Sequence, residues 1–381
     1  MQLSLTDDQA MLAKTASNFF AERSPVSRLR KLRDAGDERG YSQALYREMA
    51  ELGWTSIPFS EGEGGLGMGL AGAIIVTEAM GRTLTPEPYL PSVLLAGQVL
   101  ALGANAAQRK TYLEPLINGE KVFALAYEEA TSRYDLARVE TRAEPAADGG
   151  FRLNGRKQSV MAGALADGYL VSARTSGEAS ARDGISVFFV PADAKGLSVT
   201  RQRRIDSRNA AIVELKDVTV AATALIGERD RAYVLLDNAV DRATAALCGE
   251  MLGAMAEAFD RTLRYLKERK QFNVLIGSFQ ALKHRAAKLF IELELARSAT
   301  LLAARALDEN QADAKALVSV AKARCSDAYV LAANEAVQLH GGIGMTDEHE
   351  IGFFIKHARV CELTFGDAAF HRDRFARLSG Y

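Results

Sequence analysis

A short run at the end of a long helical stretch groups side chains that suit a large, phosphate-bearing ligand. Residues 269–272 read Arg-Lys-Gln-Phe, and Gln280 follows shortly after. The guanidinium of Arg269 can contact a phosphate through two hydrogen bonds, Gln271 can hydrogen-bond the edge of a planar ring, and Phe272 can stack on such a ring. The run therefore predicts contacts to an aromatic, phosphate-bearing cofactor.

A glycine-rich stretch nearer the C-terminus complements this run. Residues 338–344 read Gln-Leu-His-Gly-Gly-Ile-Gly, with Gln338 leading into Gly341 and Gly342. Glycines let a backbone come close to a ligand and present its N–H groups to an anion. We expect the two stretches to serve the same cofactor.

Length and charge narrow the classes of protein to be considered. A chain of 381 residues is too long for one ordinary core and predicts two or three domains. The net charge of −1 gives no basic footprint, so we expect no nucleic-acid partner. No apolar run approaches the roughly 18 residues that a membrane span needs, and the N-terminus has no signal pattern.

The cysteines argue against a disulfide framework or a metal site. Cys248, Cys325 and Cys361 lie far apart in the chain and are odd in number. Their spacing matches no metal-binding pattern, and we expect a reducing, cytoplasmic location.

The order of predicted elements divides the chain into three parts. Residues 1–118 have helical periodicity. Residues 119–228 contain short runs of β-formers, with hairpin turns predicted at Asp148-Gly149-Gly150 and at Asn154-Gly155. Residues 229–381 predict long antiparallel helices. We therefore expect a mainly α protein with an N-terminal all-helical domain, a small antiparallel β-barrel and a C-terminal four-helix bundle.

Residues 201–208 of the predicted β domain carry four arginines. A solvated hairpin face is the expectation that we favour, and contact with a phosphate is the alternative.

The order of these parts, together with their motifs, resembles the acyl-CoA dehydrogenase flavoprotein family over essentially the whole chain. The motifs that carry the resemblance are Leu-Asn-Gly-Arg-Lys at 153–157, Arg269-x-Gln271-Phe272, Phe279-Gln280 and Gln338-x-x-Gly341-Gly342-x-Gly344.

The resemblance implies an activity, a cofactor and partners. Such enzymes use FAD to oxidise an acyl-CoA thioester to its α,β-enoyl form, and the electrons pass to an electron-transfer flavoprotein. The enzymes are dimers or tetramers that share each FAD between two subunits. By position, Arg269 corresponds to the pyrophosphate contact and Phe272 to the adenine side. Gln338, Gly341 and Gly342 correspond to contacts from the adjoining chain.

The catalytic base of the family is missing at both of its usual positions. Many relatives place a Glu in a loop where this chain has Phe365, and a minority place it on the first long bundle helix where this chain has Ala243. Asp367, two residues beyond the loop position, is the local candidate for the base. Its alternative role is a hydrogen bond that holds the loop or meets the FAD.

Other departures leave three functions open. The usual Thr-Glu-Pro segment near the flavin reads Tyr127-Glu128-Glu129 here. Together with Phe-Gly-Asp-Ala at 365–368, these losses resemble the bacterial branch that forms heterotetramers, exemplified by the pimeloyl-CoA dehydrogenase small subunit. We expect a competent dehydrogenase. The alternatives are a non-catalytic or half-site subunit of a heteromeric enzyme and a flavin monooxygenase of the same fold.

Overall fold

The computed structural model describes residues 5–147 and 149–381. These residues form two compact units. The helical unit contains the chain up to Asp34, Leu70–Thr85 and Thr244–Tyr381, and the mixed unit contains Ala35–Gly69 and Pro86–Ala243. Because both units join segments that are distant along the chain, the three-domain division at residues 118 and 228 stays a prediction.

Helices dominate the described residues. They are α1 (Asp7–Arg23), α2 (Val26–Asp34), α3 (Gln43–Glu51), α4 (Gly69–Thr83), α5 (Gly97–Gly103), α6 (Ala106–Gln108), α7 (Glu114–Ile117), α8 (Ala232–Glu268), α9 (Gln280–Asp308), α10 (Ala314–His340), α11 (Ile351–Leu363) and α12 (Ala368–Leu378). Five of them, rather than the predicted four, follow residue 229, because a turn at Phe365-Gly366 separates α12 from α11. Among the described residues, no helix is long and apolar enough to cross a membrane.

Close backbone contact joins α4 to α8 within the helical unit. A Cβ atom at Gly253 would lie 1.8 Å from the Glu78 carbonyl oxygen, and one at Gly81 would lie 2.0 Å from that of Glu250. Both distances are far below van der Waals contact, so only glycine fits at these positions.

The mixed unit carries a sheet of eight strands. They are β1 (Phe123–Ala126), β2 (Arg142–Pro145), β3 (Phe151–Met161), β4 (Gly168–Arg174), β5 (Ile185–Pro191), β6 (Leu197–Arg203), β7 (Asn209–Val220) and β8 (Leu225–Ile226). A separate hairpin pairs β9 (Lys270–Gln271) with β10 (Val274–Leu275).

The sheet differs from the predicted antiparallel barrel. Its strand order is β6-β7-β3-β2-β4-β5-β8, with β1 paired to β4. The pairs β1–β4 and β2–β4 are parallel. These parallel pairs make the sheet mixed. Among the described residues, no pairing joins β6 to β8, so closure into a barrel is not confirmed.

One of the two predicted hairpin turns is wrong. Asn154 and Gly155 lie inside β3, at a shift in its register with β7. A Cβ atom at Gly155 would lie 2.3 Å from Oγ1 of Thr141, so the glycine permits a close approach within the sheet. The other predicted turn includes Asp148, which lies outside the described residues.

Candidate functional site

The motif at residues 269–272 forms a tight hairpin directly after α8. Lys270-Gln271 pairs with Val274-Leu275, which leaves Phe272 and Asn273 as a two-residue turn. Both have positive φ, 52° and 63°, as a type I′ turn requires. A phenylalanine in this conformation is strained, yet its ring is 87% exposed. The ring meets that of Phe279 edge to face, with the ring centroids 6.2 Å apart, and is otherwise largely open to solvent.

The glycine motif directly follows α10. Gly341 has φ 65° and ψ −145°, a conformation that essentially only glycine adopts. A Cβ atom at Gly341 or Gly342 would meet no atom within 4 Å, whereas one at Gly344 would lie 2.7 Å from the Val337 carbonyl oxygen. The chain's own packing thus explains the third glycine but leaves open space above the first two.

A contact between two tilted rings joins the two motifs. Tyr265, one turn before Arg269, lies with its ring centroid 4.6 Å from that of His340, the residue before Gly341. His340 Nδ1 lies 2.7 Å from the Ala336 carbonyl oxygen and donates a hydrogen bond to it in the tautomer that carries the proton on Nδ1. Burial lowers the pKa of His340, which favours the neutral ring. The structure therefore brings the ends of α8 and α10 together within one chain.

The predicted cofactor residues share one property: all are exposed, and their polar side chains form no hydrogen bond or ion pair with any other described residue. Unpaired exposed donors beside open glycines fit a phosphate-bearing, aromatic group such as FAD. These residues are Arg269, Gln271, Phe272, Gln280, Gln338, Gly341 and Gly342.

A buried lysine holds the loop at the family's base position through hydrogen bonds. Lys322, on α10, donates to the carbonyl oxygens of Gly366 at 2.7 Å and Glu362 at 3.0 Å, and to Ser326 Oγ at 3.0 Å. These bonds use all three donors of the ammonium group. Phe365 lies in the chain between the two bonded carbonyl groups. It has φ 61° and is only 4% exposed. The loop thus keeps a fixed shape, but this residue cannot accept a proton.

Asp367 has a clear structural role. Its Oδ1 accepts a hydrogen bond of 2.8 Å from the Phe370 N–H, so the half-buried carboxylate caps α12. This is the loop-holding alternative that the sequence left open.

The base loop and the glycine motif lie far apart in one chain. Lys322, which binds the loop, precedes Gln338 by sixteen positions on α10. At 1.5 Å per residue, Lys322 and Gln338 are about 24 Å apart along the helix axis. The base loop and the start of the glycine motif therefore meet α10 at well-separated turns.

The Tyr127–Glu129 segment of the mixed unit is anchored by a buried ion pair. Lys157 Nζ lies 2.6 Å from Glu129 Oε1 and 3.0 Å from Ser172 Oγ. Burial lowers the pKa of Lys157 to about 8. Burial also acts to raise the pKa of Glu129, but the charge of Lys157 and hydrogen bonds outweigh it, so that pKa is lowered. Glu129 is thus a structural residue.

Glu128, beside this pair, is a different kind of carboxyl group. It accepts a hydrogen bond of 3.0 Å from the Tyr127 hydroxyl. Burial nevertheless raises the pKa of Glu128. The segment that replaces the family's Thr-Glu-Pro therefore presents a carboxyl group that gains a proton more readily than usual.

Sequence reasoning missed a buried polar network in the helical unit. His357 contacts Tyr329 OH at 3.0 Å through Nδ1, and Glu250 Oε1 at 3.1 Å and Cys361 Sγ at 3.2 Å through Nε2. Cys325 contacts Thr300 Oγ1 at 3.3 Å. Helix packing brings these residues together from distant positions, and no local pattern announces it. Among the described residues, no group of His, Cys, Asp and Glu is arranged to hold a metal ion.

His371 gives the loop a pH dependence that can be measured. Burial, together with the charges of Lys322 and Arg374, lowers the pKa of His371 to about 3, and its Nε2 donates to the Phe365 carbonyl oxygen at 3.1 Å. The unfolded chain binds this proton below about pH 6.5, so stability is complete above that value and falls as the pH drops towards 3. We expect His371→Gln to remove up to about 2 kcal/mol of the loss between pH 6.5 and pH 5.

Urea unfolding at several pH values checks this expectation. The exposed His284→Gln variant is the control and should follow the wild-type pH profile. An unchanged slope in His371→Gln would show that another group controls acid stability.

Three family models match successive parts of the chain. They are described as acyl-CoA dehydrogenase N-terminal domain, over residues 6–120, middle domain, over 124–218, and C-terminal domain, over 234–379.

Individual proteins match over nearly the full length. The chain is 28% identical to the "Probable acyl-CoA dehydrogenase YngJ" of Bacillus subtilis, with 99% of each chain covered. It is also 28% identical to the "Caffeyl-CoA reductase-Etf complex subunit CarC" of Acetobacterium woodii, with 93% of each covered. Among solved structures, the ChsE4-ChsE5 complex from Mycobacterium tuberculosis matches with a TM-score of 0.89 and 25% identity over 100% of both chains.

Proposed function

Because the chain belongs to the acyl-CoA dehydrogenase family, FAD-dependent oxidoreductases that act on CH–CH bonds, we propose that it catalyses the α,β-dehydrogenation of an acyl-CoA thioester. The observation that carries the proposal is the paired motif at the ends of α8 and α10. Its exposed polar groups have no partner among the described residues, and its glycines face open space.

The cofactor residues divide the work of binding FAD. Arg269 holds the pyrophosphate, Phe272 packs beside the adenine, and the Gly341-Gly342 backbone approaches the same group closely. Gln271, Gln280 and Gln338 supply further polar contacts. The chemistry that bound FAD supplies is acceptance of the β-hydrogen as a hydride.

A second chain completes each site. The separation of about 24 Å along α10 between Gln338 and Lys322, which binds the base loop, supports this arrangement. Exposed apolar side chains along α9, namely Phe290, Ile291 and Leu295, supply surface for subunit contact. The assembly is a homo- or hetero-oligomer, either a dimer or a tetramer.

Asp367 is the proton acceptor for the α-carbon in this proposal, and the clamped loop fixes its position. The electrons leave to an electron-transfer flavoprotein. Similarity to the CarC subunit, whose name places it in a complex with Etf, supports this acceptor.

A half-site subunit is the second candidate. Phe365 and Ala243 occupy the two family base positions, and the Asp367 carboxylate is engaged as a helix cap. The similar ChsE4-ChsE5 complex has two components in its name, and this similarity supports a partner of different sequence. In this arrangement, the partner supplies the base and this chain supplies cofactor contacts.

Anaerobic titration of the purified chain distinguishes the two candidates. If the chain binds FAD and has its own base, a panel of acyl-CoA thioesters should bleach the flavin absorbance. Bleaching only after co-expression with a second chain would support the half-site subunit. If no acyl-CoA bleaches the flavin in either preparation, while the reduced enzyme consumes oxygen, the dehydrogenase proposal fails.

Asp367→Asn tests the base separately from the cap. Asn caps helices as well as Asp does, so the fold should persist. Loss of a general base should slow flavin reduction by about 10²- to 10⁴-fold. Asp313→Asn, the same change at the residue that precedes α10, is the control, and its flavin should be reduced at the wild-type rate. Equal rates in both variants would leave Asp367 with the structural role alone.

A further inference from the structure

The mixed unit contains a cavity that the proposed reaction does not use. Its volume is about 470 Å³, which is within the usual range for small-molecule sites. It lies beside the arginine-rich run that the sequence singled out. The residues around it include Gly36, Glu38, Leu165, Val199, Arg201 and Arg203.

Two of the four arginines reach this cavity because of strand geometry. Arg201 and Arg203 are alternate residues of β6, an end strand of the sheet, so they share one face. Neither guanidinium forms a hydrogen bond or an ion pair with another described residue. Arg204, in contrast, lies 3.3 Å from the buried carboxylate of Asp206. The cavity therefore has two positively charged guanidinium groups whose N–H donors have no partner among the described residues.

A buried amide fixes the walls of the cavity. Asn209 pairs with Arg203 across the β6–β7 ladder. Its Nδ2 donates to the carbonyl oxygens of Arg39 at 2.8 Å and Ala164 at 2.7 Å, and its Oδ1 accepts from the Ala164 N–H at 2.9 Å. The Asn209 side chain thus links the segment at Arg39 to the segment at Ala164. These hydrogen bonds preform the cavity.

Exposed apolar groups complete the lining. Leu165 has φ 65° and a side chain 50% exposed, and Val199 is 37% exposed. A left-handed conformation is costly for leucine, and such strain persists where the surroundings impose it. Here the anchoring of Ala164 by Asn209 imposes it. The result is apolar surface next to unpaired guanidinium groups.

From this combination, we infer that the cavity binds a nucleoside phosphate. Arg201 and Arg203 contact the phosphate oxygens, because the planar guanidinium matches their geometry. Leu165 and Val199 pack against the base, and the Glu38 carboxylate accepts a hydrogen bond from a sugar hydroxyl. The phosphate belongs to a free nucleotide, and the nucleotide end of coenzyme A is the alternative that the test excludes. The inference does not depend on the proposed reaction.

Equilibrium dialysis of the full chain with saturating FAD tests the site. The probes are ADP, coenzyme A and inorganic phosphate. We expect ADP to bind, and the double variant Arg201→Ala/Arg203→Ala to weaken that binding at least tenfold. Coenzyme A is the comparison ligand, because it forms part of the substrate in the proposed reaction, and loss of coenzyme A binding rather than ADP binding in the double variant would overturn the inference. Arg142→Ala, an exposed arginine on β2 of the same sheet, is the matched control.

A second variant tests the apolar wall. Leu165→Gly should weaken binding of ADP severalfold without changing the binding of inorganic phosphate. Circular dichroism melting confirms that each variant is folded. The inference is overturned if the double variant binds ADP as tightly as Arg142→Ala does, or if ADP does not bind to the wild-type chain.

Discussion

Arg269→Ala will purify with little FAD. Truncating a charged group that pairs with a ligand's opposite charge typically costs about 2–5 kcal/mol, which corresponds to a roughly 30-fold or larger rise in Kd. The effect should be large here because the Arg269 guanidinium has no other partner among the described residues, so nothing within the chain competes for it. The FAD-to-protein absorbance ratio and a fluorescence titration measure the change.

Arg264→Ala is the matched control for this variant. Arg264 lies in the last turns of α8, five residues before Arg269, and is paired with Glu257. We expect it to retain FAD, because it precedes the hairpin that presents the cofactor contacts. Equal FAD content in the two variants would remove Arg269 from the cofactor site, provided that both form the wild-type oligomer.

Lys157→Met will destabilise the protein strongly. The change leaves the carboxylate of Glu129 buried without its cation, and breaking a buried pair from one side costs about 3–5 kcal/mol. Two backbone N–H groups, those of Glu140 and Thr141, still bind the carboxylate, but they do not neutralise it. Urea unfolding at neutral pH measures the loss in free energy of unfolding.

Two further variants separate charge from packing. Adding Glu129→Gln to Lys157→Met removes the stranded charge and should recover part of the lost stability. Arg156→Ala removes the neighbouring ion pair between Arg156, which is 63% exposed, and Glu214. This change should lower the free energy of unfolding by less than about 1 kcal/mol. If Lys157→Met cost no more than Arg156→Ala, the buried pair would contribute little.

Local patterns predicted that the glycines at 341 and 342 and the run at 269–272 meet the same cofactor. The structure places these motifs at adjoining helix ends, and their contact with the cofactor stays a prediction. The bond from Lys322 to the base loop, about 24 Å along α10 from Gln338, follows only from the structure, because no local pattern pairs that lysine with the loop.

Contacts between distant segments account for the other differences. Asn-Gly is a strong hairpin signal, yet Gly155 serves a close approach by Thr141, which lies on another part of the chain. The parallel pairing of β1 with β4 likewise depends on the whole sheet. The three cysteines matched no motif, and all three are buried within the helical unit.

The glycine contacts between α4 and α8 limit how the helical unit can move. Packed helices ordinarily accommodate ligands by sliding a little along each other. Here a shift of one residue would press a side chain against the backbone of the facing helix at Gly81 or Gly253. Shear between these helices is therefore blocked, so α4 and the later turns of α8 must respond to substrate as one rigid body. Any gating motion has to come from segments outside this joint.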